Sequence, residues 1–119
     1  KSEELSYDEK FLAKLSKIVE DQITDPDFNV TQLSSAMAID QKQLYRKLKA
    51  LMGVTPVNFI RQIRLRKAAS LLEQNKFTVS EIMYMVGFNN QAYFSKCFLS
   101  EFGTTPTEYA QKNKNSESS

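Results

Sequence analysis

The chain has 119 residues, 41% hydrophobic and 25% charged, with a formal net charge of +2, one cysteine and no histidine. That length suits one globular domain and leaves no room for a second large one. Without histidine and with Cys97 alone, the usual zinc sites, an internal disulfide and histidine-based acid/base schemes are excluded, and no Gly-rich phosphate loop is present. The expectation is a protein that is not an enzyme, with no cofactor, no metal and no small-molecule ligand of its own.

Three glycines and three prolines among many Leu, Lys, Glu, Gln and Ala predict an all-α chain. The first helix is expected to start at Ser6, with Glu9 closing a capping box, and to present Phe11, Leu12, Leu15, Ile18, Val19 and Ile23 on one face up to Asp25-Pro26-Asp27. Residues 30–53 read as a first helix-turn-helix. A long linker helix over 56–74 follows, with Thr55 as its cap and Pro56 in its first turn. Residues 79–103 read as a second helix-turn-helix, and a terminal helix over 106–111 precedes a disordered tail at 112–119. Together these make one domain of about seven helices over 1–111. Met37, Met52, Met83 and Met85 read as core filler, and Cys97 as a partly buried small residue.

The two middle segments repeat one another. Val30-Thr31-Gln32-Leu33 returns as Val79-Ser80-Glu81-Ile82, 49 residues on, and Gly53-Val54-Thr55-Pro56 returns as Gly103-Thr104-Thr105-Pro106, 50 residues on. Each copy is a short helix with a polar cap at Thr31 or Ser80, a turn through Ala38-Ile39-Asp40 or Gly87-Phe88-Asn89, and a second helix that ends at glycine. Ile39 and Phe88 are expected to plug the space between paired helices. In the second helices Leu44, Leu48 and Leu51, or Phe94, Phe98 and Phe102, should face inward. That leaves Gln41, Lys42, Gln43, Tyr45 and Arg46 outward in one copy, and Asn90, Gln91, Ala92, Ser95 and Lys96 in the other.

Charge follows the same organisation. Residues 1–29 hold eight acids against four lysines, whereas residues 41–67 hold eight basic groups and no acid. A basic block of this kind is the footprint of a phosphate-binding surface, and Gln, Asn, Arg and Lys near a helix N-terminus are the side chains that pair with base edges in the major groove. A linker of 19 residues, about 28 Å long as a helix, would hold two reading helices a distance apart that suits successive major grooves. The main reading is sequence-specific binding of double-stranded DNA. The alternative is a helical protein-interaction module whose basic face docks an acidic partner. RNA is disfavoured, because the aromatic residues sit at helical core spacing and do not form exposed platforms.

These residues resemble the DNA-binding domain of the AraC/XylS family of bacterial transcription regulators, over about residues 11–111. The stretches that carry the resemblance are Leu44-Tyr45-Arg46-Lys47-Leu48-Lys49, Phe59-Ile60-Arg61-Gln62-Ile63-Arg64, Val86-Gly87-Phe88 with Tyr93-Phe94-Ser95-Lys96, and Phe102-Gly103-Thr104-Thr105-Pro106. The resemblance implies base contacts from Lys42, Tyr45 and Arg46 and from Asn90, Gln91, Ser95 and Lys96, and Gln43 joins them as an outward amide. Tyr45 departs from the small or amide residue usual at its position, and suits stacking on sugar or packing. Phosphate contacts are implied for Thr31, Lys49, Arg61, Arg64 and Ser80. The acidic first helix and Asp25-Pro26-Asp27-Phe28 are similar to the subset in which this domain is the C-terminal output of a membrane-anchored hybrid two-component sensor and response regulator. A cytoplasmic domain follows, monomeric alone and paired in a dimeric parent, with RNA polymerase a candidate partner. A chain that starts at Lys1 is expected to be a piece of such a protein.

Overall fold

The structure is a computed structural model that describes residues 5–118, with the side chains of 5–114; residues 1–4 and Ser119, the end of the expected tail, lie outside the described residues. Among the described residues seven α-helices follow one another: α1 (Tyr7–Asp21), α2 (Val30–Met37), α3 (Gln41–Met52), α4 (Pro56–Glu73), α5 (Val79–Met85), α6 (Gln91–Phe102) and α7 (Pro106–Ser118). No strand occurs among the described residues. The all-α expectation holds.

Each start has a local cause. At α1 the Ser6 hydroxyl accepts from the Glu9 N–H at 3.1 Å while the Glu9 carboxylate accepts from the Ser6 N–H at 2.9 Å, so two otherwise unpaired donors are satisfied. At α4 the Thr55 hydroxyl accepts from the Asn58 N–H at 3.2 Å, with Pro56 as the first helical residue. Thr105 and Pro106 repeat this at α7, where Glu108 completes a capping box. Donation to the Glu108 carboxylate, by the Thr105 N–H first and by the Thr104 and Thr105 hydroxyls after it, holds that carboxyl below its usual range. Its contribution is therefore present above the ordinary carboxylate range and is lost as pH falls through the lowered value.

The caps of the two short helices differ from expectation. Asn29 caps α2, in a box with Gln32, and Thr78 caps α5, in a box with Glu81. Thr31 and Ser80 each lie two residues further on, inside the first turn. Asn29 and Thr78 have the extended backbone that an N-cap needs, and each has its Gln or Glu three residues on.

The chain divides into two compact units. The first holds α1, α2, α3 and the start of α4 up to Ile63; the second holds residues 23–27 and everything from Arg64 onward. In the first unit Leu15, Val19, Leu33, Leu44 and Leu48 are fully enclosed, with Phe59 and Ile60 of α4 beside them. Each such side chain contributes about 1.5–3 kcal/mol relative to an exposed one. The core of the second unit is aromatic. Phe88 packs tilted against Phe94 with ring centroids 5.0 Å apart, Phe98 lies 4.6 Å from Phe102, and Tyr109 meets Phe98 edge-on at 5.4 Å. The Tyr109 hydroxyl donates to the Glu73 carboxylate, and that bond, more than burial, pushes the phenol up to about 12.

Three further expectations are corrected. Helix α1 stops at Asp21, and Ile23 packs into the second unit's core, so the apolar stripe of the first helix ends one turn early. Met52 is exposed, whereas Met37 and Met83 are buried. Helix α7 continues to Ser118 through the segment expected as a tail from Lys112; the Asn113 amide donates to the Tyr109 carbonyl at 2.8 Å within it.

The turn of the first helix pair places Ala38 in the left-handed region, at φ 60° and ψ 36°. A Cβ there costs about 1–2 kcal/mol, of which part returns through the larger unfolded-state entropy of glycine. Ala38→Gly should stabilise the chain by about 0.5–1 kcal/mol in urea denaturation. A loss of stability on this change would contradict the account of that turn.

Candidate nucleic-acid interface

Helices α3 and α6 are the second helices of the two pairs. In α3 the Asp40 carboxylate accepts from the Gln43 N–H at 2.8 Å, and Gly53 ends the helix; in α6 the Asn90 amide oxygen accepts from the Tyr93 N–H at 2.8 Å, and Gly103 ends it. Between Phe88, the counterpart of Ile39, and Asn90, the counterpart of Asp40, stands Asn89, which locates the extra residue of the second copy.

With Leu44 and Leu48 enclosed, α3 presents Gln41, Lys42, Gln43, Tyr45, Arg46 and Lys49 to solvent. With Phe94 and Phe98 enclosed, α6 presents Gln91, Ala92, Tyr93 and Lys96, while Ser95 is half-buried. Tyr93 lies against Phe88, ring centroids 5.9 Å apart. Of the expected base-contacting residues, Lys42, Gln43, Tyr45, Arg46, Gln91 and Lys96 are thus exposed on these two helices. Asn90 is not equivalent to them: its side-chain oxygen is committed to the helix cap, so its first role is to start α6.

A detail repeats in both units that the sequence reading missed. The Gln41 amide donates to the Thr31 hydroxyl at 2.9 Å, and the Ser80 hydroxyl donates to the Gln91 amide oxygen at 3.3 Å. In each pair, the first residue of the second helix is tied to the second residue of the first helix, which fixes the amide at the corner where the two N-termini meet. Gln41 therefore belongs with Gln91, and the same offsets of 49 and 50 that define the repeat would have found it.

The expected phosphate-contacting residues separate. Thr31, Ser80 and Lys49 are exposed, the Lys49 ammonium 3.5 Å from the carbonyl of Gly53. Arg61 is half-buried and hydrogen-bonded to Asn58. Arg64 must be taken out of the set. It is 6% exposed, and its guanidinium donates to the carbonyls of Ile23 at 2.6 Å, Val86 at 2.8 Å and Asp25 at 2.9 Å, all within the second unit. Desolvation by burial lowers its pKa, against the pull of Asp25, yet a guanidinium stays charged under any ordinary condition. A cation enclosed on three carbonyls holds the second unit together and cannot reach a phosphate. Lys47 is also occupied, 3.2 Å from the Asp8 carboxylate and over the rings of Tyr7 and Phe11.

Two helix pairs, each with an exposed polar N-terminal half on its second helix, define the architecture, and the family of helix-turn-helix domains matches residues 33–112. The chain belongs to the helix-turn-helix domain family. It is 45% identical over 107 residues to histidine kinase P4 of Formosa agariphila, a match that covers 90% of this chain and 8% of the kinase. Among solved structures, the C-terminal domain of the two-component response regulator yesN from Fusobacterium nucleatum has a TM-score of 0.75 and 27% identity, over 85% of this chain and 98% of that one. The DNA-binding domain of the global transcriptional factor AdpA, determined with a target DNA, shares the fold with a TM-score of 0.79, 21% identity, and coverage of 87% and 93%. The helix-turn-helix domain spans between 8% and 43% of the first curated relatives it matches. The AraC/XylS resemblance stands with these matches, and the fold is shared with an AraC-type DNA-binding domain-containing transcriptional regulator from Chromobacterium violaceum, at a TM-score of 0.81 and 24% identity over 88% of this chain and 93% of that one. No described helix is long and apolar enough to cross a membrane, and no group of metal-binding side chains forms among the described residues.

Proposed function

We propose that this domain binds double-stranded DNA by sequence to regulate transcription, with α3 and α6 as its two recognition helices. The observation that carries this is the repeated corner, Thr31 with Gln41 and Ser80 with Gln91, which pre-orients an amide at the start of each exposed helix. Pre-oriented amides and Arg46 supply the bidentate pairing that adenine and guanine edges accept. Gln41, Lys42, Gln43, Tyr45 and Arg46 of α3 and Gln91, Ser95 and Lys96 of α6 serve the bases. Thr31, Ser80, Lys49 and Arg61 serve the backbone. The solved complex of AdpA with a target DNA supports the reading by likeness of fold. The domain does no chemistry itself. Its similarity to part of a histidine kinase and to a response regulator's C-terminal domain supports a place as the output part of a larger sensor protein; the domain works in the cytoplasm, and its parent is anchored in the membrane. There, input acts by pairing two such domains, and RNA polymerase is the partner reached once they sit on DNA.

The test separates base reading from charge. Arg46→Ala should cost about 1–3 kcal/mol and relax preference at one base position, whereas Lys49→Ala should weaken all sequences nearly equally. Gel shifts on a preferred duplex and on single-base variants, against excess unrelated duplex, measure both. Uniform weakening by both substitutions would give Arg46 to the phosphates, and binding that unrelated duplex abolishes would remove sequence reading altogether.

A further inference from the structure

The first unit contains a groove of about 660 Å³ between α1 and α3. Its floor is apolar, from Phe11, Met37 and Ile39, and its rim is basic, from Lys10 and Lys14 of α1 and Arg46 of α3. Lys10 and Lys14 are four residues apart and so share one face of α1. Lys47 also lines the groove, but Asp8 and the rings of Tyr7 and Phe11 already occupy its charge. Lys10, Lys14 and Arg46 are exposed, and no described carboxylate pairs with any of the three. Exposed Tyr7, at 78%, extends the apolar floor outward.

A DNA backbone would satisfy the three cations but would leave the apolar floor wet, and a plain apolar segment would strand the cations. The volume is that of a ligand site, large enough for a few side chains. We propose that this groove docks a short acidic segment of a partner protein, with carboxylates on Lys10, Lys14 and Arg46 and an apolar side chain between them on Phe11 and Ile39. Arg46 also belongs to the recognition helix. On the DNA-binding reading above, a seated acidic segment takes Arg46 from the bases, so segment and duplex weaken each other by the same factor.

The probe is a short blocked peptide of glutamates interrupted by leucine and phenylalanine, with two controls: serine in place of the apolar residues, and lysine in place of glutamate. Titrated into the full chain without DNA and followed by NMR, it should shift the methyl resonances of Met37 and Ile39 and the rings of Tyr7 and Phe11. Lys10→Glu/Lys14→Glu should weaken it by about tenfold or more, as loss and reversal of two contacts would. Lys10→Ala/Lys14→Ala, which only removes the charges, gives a smaller loss in the same direction and replaces the reversal if that variant loses its folded spectrum. The serine peptide should bind more weakly and the lysine peptide should leave these resonances unmoved. Equal binding by the lysine peptide, unshifted groove resonances, or full affinity in folded charge variants would overturn the proposal. So would unrelated duplex shifting the same groove resonances when the acidic peptide does not, which would make the rim a DNA contact. Mutual weakening of peptide and preferred duplex supports the sharing of Arg46, and simultaneous binding without weakening overturns it. A chain that takes the peptide but shows no base preference would sink the DNA reading and leave the groove standing.

Discussion

Gly87→Ala is expected to destabilise the second unit by more than about 3 kcal/mol, against about 1–2 kcal/mol for Gly53→Ala. Both glycines have a left-handed backbone, at φ 88° and 72°. At Gly53 nothing lies within 4 Å of an added Cβ, so only the backbone strain of about 1–2 kcal/mol is felt. At Gly87 the same atom would stand 1.5 Å from a guanidinium nitrogen of Arg64 and 2.4 Å from the Ile23 carbonyl. The guanidinium has to leave, and with it go its bonds to the carbonyls of Ile23, Asp25 and Val86. A buried group left without its partner costs about 1–3 kcal/mol, and three are at stake. Urea denaturation, read by amide resonances of the two units separately, checks this. Equal losses for the two substitutions would show that Arg64 is not the clamp described. Arg64→Ala should likewise lose DNA binding through loss of fold, at every sequence alike.

Affinity for duplex DNA should fall by about three decades between 50 and 200 mM salt. With Arg64 buried and Lys47 held by Asp8, about five basic groups remain to neutralise phosphates, for a slope of log affinity against log salt near −4 to −5. With Arg64 and Lys47 counted as well, about seven groups would give a slope near −6. Fluorescence anisotropy with a labelled duplex across a salt series measures the slope. A value shallower than about −2 would contradict a phosphate-binding surface.

What was legible in the sequence was whatever depends on near neighbours. Ser6 with Glu9, Thr55 with Pro56 and Thr105 with Pro106 mark helix starts by their own chemistry, and Leu44, Leu48, Phe94 and Phe98 reveal the buried faces of α3 and α6 by spacing. The repeat gave the two helix pairs without any knowledge of how they pack. The burial of Arg64 is hidden in the sequence because it sits in a basic stretch and charge counting cannot see depth. Its register marks it all the same, since it falls four residues after buried Ile60 and four before buried Ala68. Asn29 and Thr78, the caps in place of Thr31 and Ser80, carry a local signal as well, since each is followed three residues later by Gln32 or Glu81. The continuation of α7 had no apolar signal to announce it, since its last turns are polar and their helicity follows from residues already wound. The groove beside α3 was invisible because Lys10, Lys14 and Arg46 are brought together only by the packing of α1 on the first helix pair.

The central claim is that two exposed helices of one chain read duplex DNA by sequence. Selection of bound molecules from a random duplex library, repeated with Arg46→Ala and with Lys96→Ala, tests it most directly. The account predicts an enriched site with two blocks of preferred bases, one block blurred by the change in α3 and the other by the change in α6. A recovered pool with no enrichment over the starting library, or one whose preference neither substitution alters, would contradict it.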